Sequence, residues 1–147
     1  MIRSNTRARM LSALLALGIG IAACDSVTEP TTPIGEYTLL SVNGDNVPST
    51  MFEDLTFRLE VTGGTLEMDV DSTYIATIIT KETVDVVISE YVDTLQGRWT
   101  QDVVTGTITF TLTDDNTTFT GSWAGRNITA LITSGLQTSS LVFQKPR

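Results

Sequence analysis

The chain has no histidine and only one cysteine, Cys24, among its 147 residues. A single cysteine cannot form a disulfide within the chain. Without histidine, neither a histidine-based catalytic triad nor a cysteine–histidine zinc site can be assembled. The composition therefore excludes several large classes of enzyme and of metal centre before any pattern is considered.

Basic residues are also scarce, and three of the nine lie in the first nine positions as Arg3, Arg7 and Arg9. From Cys24 to Arg147 the chain keeps six basic residues and all 17 acidic ones, which gives a net charge of about −11. A surface of this charge repels nucleic acid and anionic lipid headgroups. We therefore expect no nucleic-acid partner, and attachment to a membrane would have to come from another group.

An apolar run at residues 10–23 follows the basic N-terminus. It has 14 residues, too few to cross a bilayer, which takes roughly 20. A basic segment, a short apolar segment and small residues in this order are typical of a secretory signal peptide. The end of the run, Ile21-Ala22-Ala23-Cys24, resembles the lipobox of bacterial lipoproteins. The resemblance implies cleavage between Ala23 and Cys24 and a diacylglyceryl group on the Cys24 sulfur.

Acyl chains on Cys24 would anchor the protein to a membrane, because each buried methylene contributes about 0.8 kcal/mol. The sequence thus predicts a signal peptide with its helix at 1–23, a flexible, proline-containing tether at 24–33 and one folded domain at 34–147. The expected location is the cell envelope. The sequence leaves open whether the inner or the outer membrane carries the anchor, and on which side.

Beyond residue 34 apolar and polar residues alternate with the period of β-strands. The pattern predicts a strand at 35–42, a turn at Asn43-Gly44 and a short irregular crossing from Val47. Gly63-Gly64 is predicted to turn a hairpin between strands at 57–61 and 66–70. Lys81-Glu82 is predicted to turn the chain from a strand at 73–80 into one at 84–95.

The second half of the chain continues the same pattern. Gly97 is predicted to open a strand, and a hairpin follows with strands at 105–113 and 119–123 around a turn at residues 114–116. Strands at 128–133 and 140–144 close the domain. No stretch after Cys24 has a sustained helical period, and about nine or ten strands at short spacing favour an all-β, antiparallel barrel or, alternatively, a β-sandwich.

The opening of the domain, Gly35-Glu36-Tyr37 followed by Val42-Asn43-Gly44 and Val47-Pro48, resembles that of small bacterial lipocalin-like lipoproteins. The later Gly97-Arg98-Trp99, Gly121-Ser122-Trp123 and the C-terminal 141–145 fit the same course, so the resemblance covers most of residues 34–145. It implies an up-and-down barrel of about eight strands. In lipocalins the first aromatic is a tryptophan that packs under a basic residue. Here that aromatic is Tyr37, and Lys145 or Arg147 would supply the cation.

Large apolar side chains expected to face the barrel interior are the candidate ligand site. They are Tyr37, Phe57, Leu59, Met68, Trp99, Phe110, Phe119 and Trp123. They would either fill the barrel as its core or line a pocket for a small apolar ligand, since a barrel of eight strands allows both. The sequence does not distinguish a filled barrel from a hollow one.

Catalysis and metal binding have weaker support. Carboxylates such as Glu60, Glu67 and Asp69 fall at positions expected to face outward, which fits a soluble surface better than an acid–base pair. The acids at Asp69 and Asp71 lack the glycine and the distant glutamate of a calcium loop. We therefore expect no enzyme activity, no cofactor and no metal. The leading hypothesis is a lipid-anchored barrel that binds or shields a small apolar ligand. The alternative is a filled barrel that serves as a structural or protein-interaction module in the envelope, with an unknown protein partner.

Overall fold

The computed structural model describes residues 32–134 and 137–147. The predicted signal peptide and its helix, the cleavage site at Ala23 and Cys24, and the tether up to residue 31 lie outside these residues. Within the described ranges no helix is long and apolar enough to pass through a membrane.

Ten β-strands make up the regular structure of the described residues. They are β1 (Gly35–Val42), β2 (Asp45–Asn46), β3 (Ser49–Glu53), β4 (Phe57–Met68), β5 (Thr73–Val84), β6 (Val87–Asp102), β7 (Thr107–Leu112), β8 (Thr118–Ala124), β9 (Asn127–Ser134) and β10 (Gln137–Gln144).

Eight of these strands form a closed antiparallel barrel. Each strand from β4 to β9 pairs with the next strand along the chain, and β10 pairs with β1. The ring closes where Gly35–Thr38 of β1 pairs with Thr65–Met68 of β4. The short β2 and β3 add to the edges of β1 and β4. The predicted all-β, up-and-down barrel of eight strands is therefore confirmed, the sandwich is not formed, and the architecture is consistent with a lipocalin-like fold.

The barrel has two different ends. At the end that we call the closed end, β1 begins, β10 ends, and the turns after β4, β6 and β8 lie. The opposite end, which we call the mouth, carries the turns after β5 and β7, the end of β9 and the start of β10. Apolar residues at every second strand position point inward and form one buried core, because successive side chains of a strand face opposite sides of the sheet.

The prediction of a hairpin turn at Gly63-Gly64 is wrong. Strand β4 runs through both glycines, and the register with β5 shifts between Val61 and Gly63, which marks a bulge. A Cβ on Gly64 would meet the Thr77 carbonyl oxygen, so this glycine allows close approach of β4 and β5. A Gly-Gly pair suits a bulge as well as a turn, and here the strand continues.

The prediction of a turn at Lys81-Glu82 is also wrong, since β5 continues to Val84 and the turn lies at Asp85-Val86. Asp85 takes a positive φ of 54° there, and its amide donates to the Thr56 carbonyl oxygen over 2.6 Å. Likewise, Gly97 does not open a strand but lies within β6. The turns predicted at Asn43-Gly44 and at residues 114–116 are confirmed.

Strands β3 to β6 extend beyond the ring at the mouth. We call residues 49–61 and 80–93 the flap. Its outer face carries an ion-pair cluster in which Glu60 lies 2.8 Å from Arg58 Nη2 and 3.6 Å from Lys81 Nζ. Register places Leu59, Glu82 and Ser89 together on the inner face, which continues the barrel wall above the mouth.

Candidate binding site at the barrel mouth

The closed end is sealed by Tyr37 and the residues around it. Tyr37 is 1% exposed, and its hydroxyl donates to the Pro33 carbonyl oxygen over 2.8 Å. Lys145 Nζ donates to the Ile34 carbonyl oxygen over 2.8 Å and lies 5.9 Å from the centre of the Tyr37 ring. Of the two basic residues offered by the lipocalin resemblance, Lys145 is thus the one over the ring, at a distance typical of a cation–π contact.

Aromatic rings fill the middle of the barrel. Tyr74 packs edge-on against Phe110 with ring centres 5.1 Å apart, and Phe110 stacks on Phe119 at 4.8 Å. Only about 10 Å³ of free space remains among the side chains here. This volume holds at most one water molecule, so the barrel is a packed core from its closed end to its middle.

Above the aromatic rings the barrel is hollow. A cavity of about 650 Å³ opens at the mouth. This lies within the range of about 300–1,000 Å³ that is usual for small-molecule sites. Its apolar lining consists of Val42, Met51, Phe52, Leu59, Val61, Ile78, Leu95, Ile132 and Leu141. The polar lining consists of Thr80, Asp93, Thr94, Gln137 and Ser139.

Asp93 is the only charged residue among the described residues that line this cavity. It pairs in register with Ile78, which places both side chains on the inner face of the wall. On the same face of β5, Thr80 and then Glu82 follow Ile78 toward the mouth. In the described part of the chain, neither Asp93 nor Glu82 has a basic side chain within ion-pair distance. The cavity thus combines an apolar body with one carboxylate in its wall that has no basic partner among the described residues.

The charge of the described residues is concentrated at the mouth. Ten carboxylates against two basic side chains, Arg58 and Lys81, give this half a net charge of −8. The carboxylates are Asp45, Glu53, Asp54, Glu60, Glu82, Asp85, Glu90, Asp93, Asp114 and Asp115. The closed half has five acids and four bases and is nearly neutral. Any ligand that approaches the cavity therefore meets a negative potential.

The eight residues singled out in the sequence are distributed over the whole length of the barrel. Leu59 lines the 650 Å³ cavity, and Phe57 lies above it on the inner face of the flap. Phe110 and Phe119 belong to the packed middle. Met68 and Trp99 are buried toward the closed end, as is Tyr37, and the Trp99 indole donates to the Thr73 carbonyl oxygen over 3.0 Å. Trp123, half-buried and also toward the closed end, pairs in register with Ile128.

Sequence reasoning did not single out most of the residues that line the cavity. Ile78, Leu95, Ile132 and Leu141 are aliphatic residues in strands of ordinary composition. Their alternation in the strands is the signal that marks them as inward-facing. Their height in the barrel follows from the register of eight strands, which no local pattern specifies.

Two buried polar atoms in the barrel have no hydrogen-bond partner, Tyr74 Oη and Trp123 Nε1. Burial raises the pKa of Tyr74 to about 12. Burial likewise raises the pKa of Tyr37 to about 12, and the nearby Trp123 indole opposes this rise without making a well-formed hydrogen bond. The two tyrosines therefore share burial and a raised pKa but differ in whether the hydroxyl is paired.

Several exposed aspartates have turn-forming roles. Asp54, Asp71, Asp102 and Asp115 each accept a hydrogen bond from a backbone amide two residues ahead. For Asp54, Asp102 and Asp115 this bond is the main cause that lowers the pKa; for Asp71 the Thr73 hydroxyl is the first cause and the amide the second. Across residues 32–134 and 137–147 no three acidic, histidine or cysteine side chains gather into a metal-binding group.

Comparisons of the chain with protein-family models, with curated proteins and with solved structures found no match. The likeness to lipocalins therefore consists of the short sequence motifs, the closed barrel of eight strands and the contact between Tyr37 and Lys145.

Proposed function

We propose that this protein is a lipid-anchored protein of the bacterial cell envelope whose barrel binds a small apolar ligand without catalysis. The observation that carries the proposal is the cavity of about 650 Å³ at the mouth, above a packed core. Burial of an apolar ligand against aliphatic side chains is favourable by about 25 cal/mol for each Å² removed from water.

The inward-facing residues could serve as core or as pocket, and each interpretation applies to a different part of the barrel. The aromatic residues of the middle and the closed end serve as core, and the aliphatic residues nearer the mouth serve as pocket. A rigid floor beneath an open cavity is well suited to binding, because little side-chain ordering is then required when a ligand enters.

Binding of the uncharged dye Nile red, whose fluorescence rises in apolar surroundings, tests the ligand site. Ser139 lines the cavity, and Ser139→Trp would fill part of it. Ser122 is exposed on β8, and Ser122→Trp makes the same change outside the barrel. We expect the wild type and Ser122→Trp to bind the dye with equal affinity and Ser139→Trp to bind it at least tenfold more weakly. Equal dye binding by all three proteins, or by none, would refute the proposed pocket.

The lipobox-like Ile21-Ala22-Ala23-Cys24 supports the anchor. Mass spectrometry of the protein expressed with its own leader in a bacterial host should find Cys24 at the N-terminus with acyl groups attached. Cys24→Ser should abolish acylation and release the protein from the membrane fraction. An unmodified Cys24 thiol in the wild-type product would refute this part of the proposal.

A second function, a protein-interaction module, is favoured by the free edge of β6. Residues 87–95 of β6 pair with β5 on one side, whereas bonding toward β7 begins only at Gln96, whose carbonyl accepts from the Thr113 amide, and at Gly97. Within the described residues no strand pairs with the other side of this segment. A long edge with exposed apolar side chains such as Val92 favours antiparallel addition of a further strand, including that of a second copy.

Sedimentation velocity over a range of protein concentrations tests this second function. Pairing through β6 would give a dimer that Tyr91→Lys weakens, because a lysine at the edge opposes strand addition. Ser122→Lys, on the outside of the barrel, is the matched control and would leave the dimer intact. A monomer at every concentration would rule out association of two copies through this edge.

A further inference from the structure

The charge at the mouth points to the class of ligand. We infer that the cavity selects amphiphiles with an apolar chain and a cationic head, and that Asp93 recognises the head. This inference rests on the proposed binding function and adds a preference for charge to it. It concerns small amphiphiles and not the membrane that the protein is proposed to be anchored to.

The geometry places the acidic group where a head group would lie. Asp93 is paired with Ile78 and lines the cavity together with Leu95 and Ile132, so the head of an amphiphile whose chain packs on these aliphatic side chains can approach the Asp93 carboxylate. Glu82 lies above it on the inner face of the flap. The described residues that line the cavity include no lysine or arginine. A fatty acid or another anionic amphiphile would therefore bring its charge near Asp93 with no basic partner.

Coulomb energies give the size of the expected preference. Two unit charges 4 Å apart interact by about 1 kcal/mol when fully hydrated, which corresponds to about a fivefold change in affinity. The mouth as a whole carries a net charge of −8, so attraction of a cation and repulsion of an anion are both reinforced at low ionic strength. Because Asp93 is exposed, salt should screen most of this preference.

Three ligands with the same ten-carbon chain separate charge from apolar burial. They are decyltrimethylammonium, 1-decanol and decanoate, each measured below its micelle-forming concentration by displacement of Nile red. At low salt we expect the cation to bind at least about fivefold more tightly than the alcohol and the anion at least about fivefold more weakly. Asp93→Asn should reduce the ratio of cation to alcohol affinity by about threefold or more and leave decanol binding within about twofold.

Asp114→Asn is the matched control. Asp114 lies at the mouth in the turn between β7 and β8, outside the cavity lining, so its neutralisation changes net charge equally without touching the site. An unchanged ratio of cation to alcohol affinity in this variant, with a reduced ratio in Asp93→Asn, supports recognition by Asp93. Equal losses in both variants would show a general field effect and overturn the role of Asp93.

The outcomes also separate this inference from the proposed function. If decanol displaces the dye and the cation binds no more tightly than decanol, the pocket stands and the charge selection is refuted. If none of the three compounds displaces Nile red although the dye binds, or if the dye itself fails to bind, the proposed pocket is refuted, and the charge selection with it.

Discussion

The two buried tyrosines of the barrel provide a matched test of how the interior is held together. Tyr37 and Tyr74 are each 1% exposed, but the Tyr37 hydroxyl donates to the Pro33 carbonyl oxygen and the Tyr74 hydroxyl has no partner. Replacement by phenylalanine removes one oxygen in each case and retains the ring. We expect the two substitutions to change the free energy of unfolding in opposite directions.

The magnitudes follow from the hydrogen bonds. Tyr37→Phe removes a bond of 2.8 Å and leaves the carbonyl of the buried Pro33 unpaired. Loss of such a bond with an unsatisfied buried partner costs about 1–3 kcal/mol. Tyr74→Phe removes a hydroxyl whose burial without a partner costs a similar amount. The variant also loses the packing contacts of that oxygen atom, which reduces the gain. We therefore expect Tyr74→Phe to raise the free energy of unfolding by about 1 kcal/mol.

Urea denaturation followed by tryptophan fluorescence measures both effects, because Trp99 and Trp123 lie inside the barrel. The slope of free energy against urea should stay constant, so that shifts of the midpoint report stability alone. Tyr91→Phe is the control. Tyr91 is exposed on the flap, and its change should stay within about 0.5 kcal/mol. Destabilisation of equal size in Tyr37→Phe and Tyr74→Phe would show that the Tyr74 hydroxyl is satisfied in solution and would refute the reasoning.

Further predictions concern pH and strand packing. Burial raises the pKa of both Tyr37 and Tyr74 from 10.0 to about 12. Their contribution to stability is therefore complete below pH 10 and is lost as the pH rises toward 12. Alkaline denaturation curves of the variant that carries both Tyr37→Phe and Tyr74→Phe should lack this loss. Gly97→Ala would place a Cβ against the Thr111 carbonyl and should cost about 1–3 kcal/mol in urea denaturation, whereas Gly63→Ala, whose Cβ meets only a side-chain atom at 4.0 Å, should be tolerated far better. Glu36 faces Glu67 across the β1–β4 seam, and Glu67→Gln should raise the urea midpoint by the equivalent of about 0.2–1 kcal/mol. An unchanged or lower midpoint would show that these two charges do not repel.

Local chemistry was enough to predict the fold class and several turns. Alternation over strands such as 105–113 and the Asn43-Gly44 turn needs only neighbouring residues, and Asn43 and Gly44 take the positive φ values that favour such a turn. The number of strands follows from the spacing of such segments. Closure of the ring has no such local basis, because it depends on pairing of β1 with the distant β4 and β10, and the sequence pattern alone left a β-sandwich as the alternative.

The turn after β5 could not be placed from the sequence, because distant residues determine it. Val84 and Val86 have high strand propensity and lack the usual signals of a turn. The turn at Asp85 is held by a bond from its amide to the Thr56 carbonyl oxygen, in a loop 29 positions earlier in the chain. Lys81-Glu82 looked like a turn because it is polar, but Lys81 instead forms an ion pair with Glu60 on the outside of the flap.

The position of the cavity was also beyond the reach of sequence patterns. Inward-facing aromatic residues were the natural candidates for a pocket, but Phe110 and Phe119 stack on each other and fill the space that they would have lined. The aliphatic residues of the cavity are nearer the mouth, beyond the stacked rings of Phe110 and Phe119. Which of these layers remains hollow depends on how the Tyr74 ring of β5 meets the Phe110 and Phe119 rings of β7 and β8, and this is a property of the assembled barrel.

The chain enters the barrel at the closed end, where Pro33 lies buried under the Tyr37 hydroxyl. Any upstream attachment therefore joins the molecule at the pole opposite its opening. If the proposed lipid anchor at Cys24 is present, its connection at this pole would leave the opening unobstructed for exchange of a ligand with the surrounding fluid.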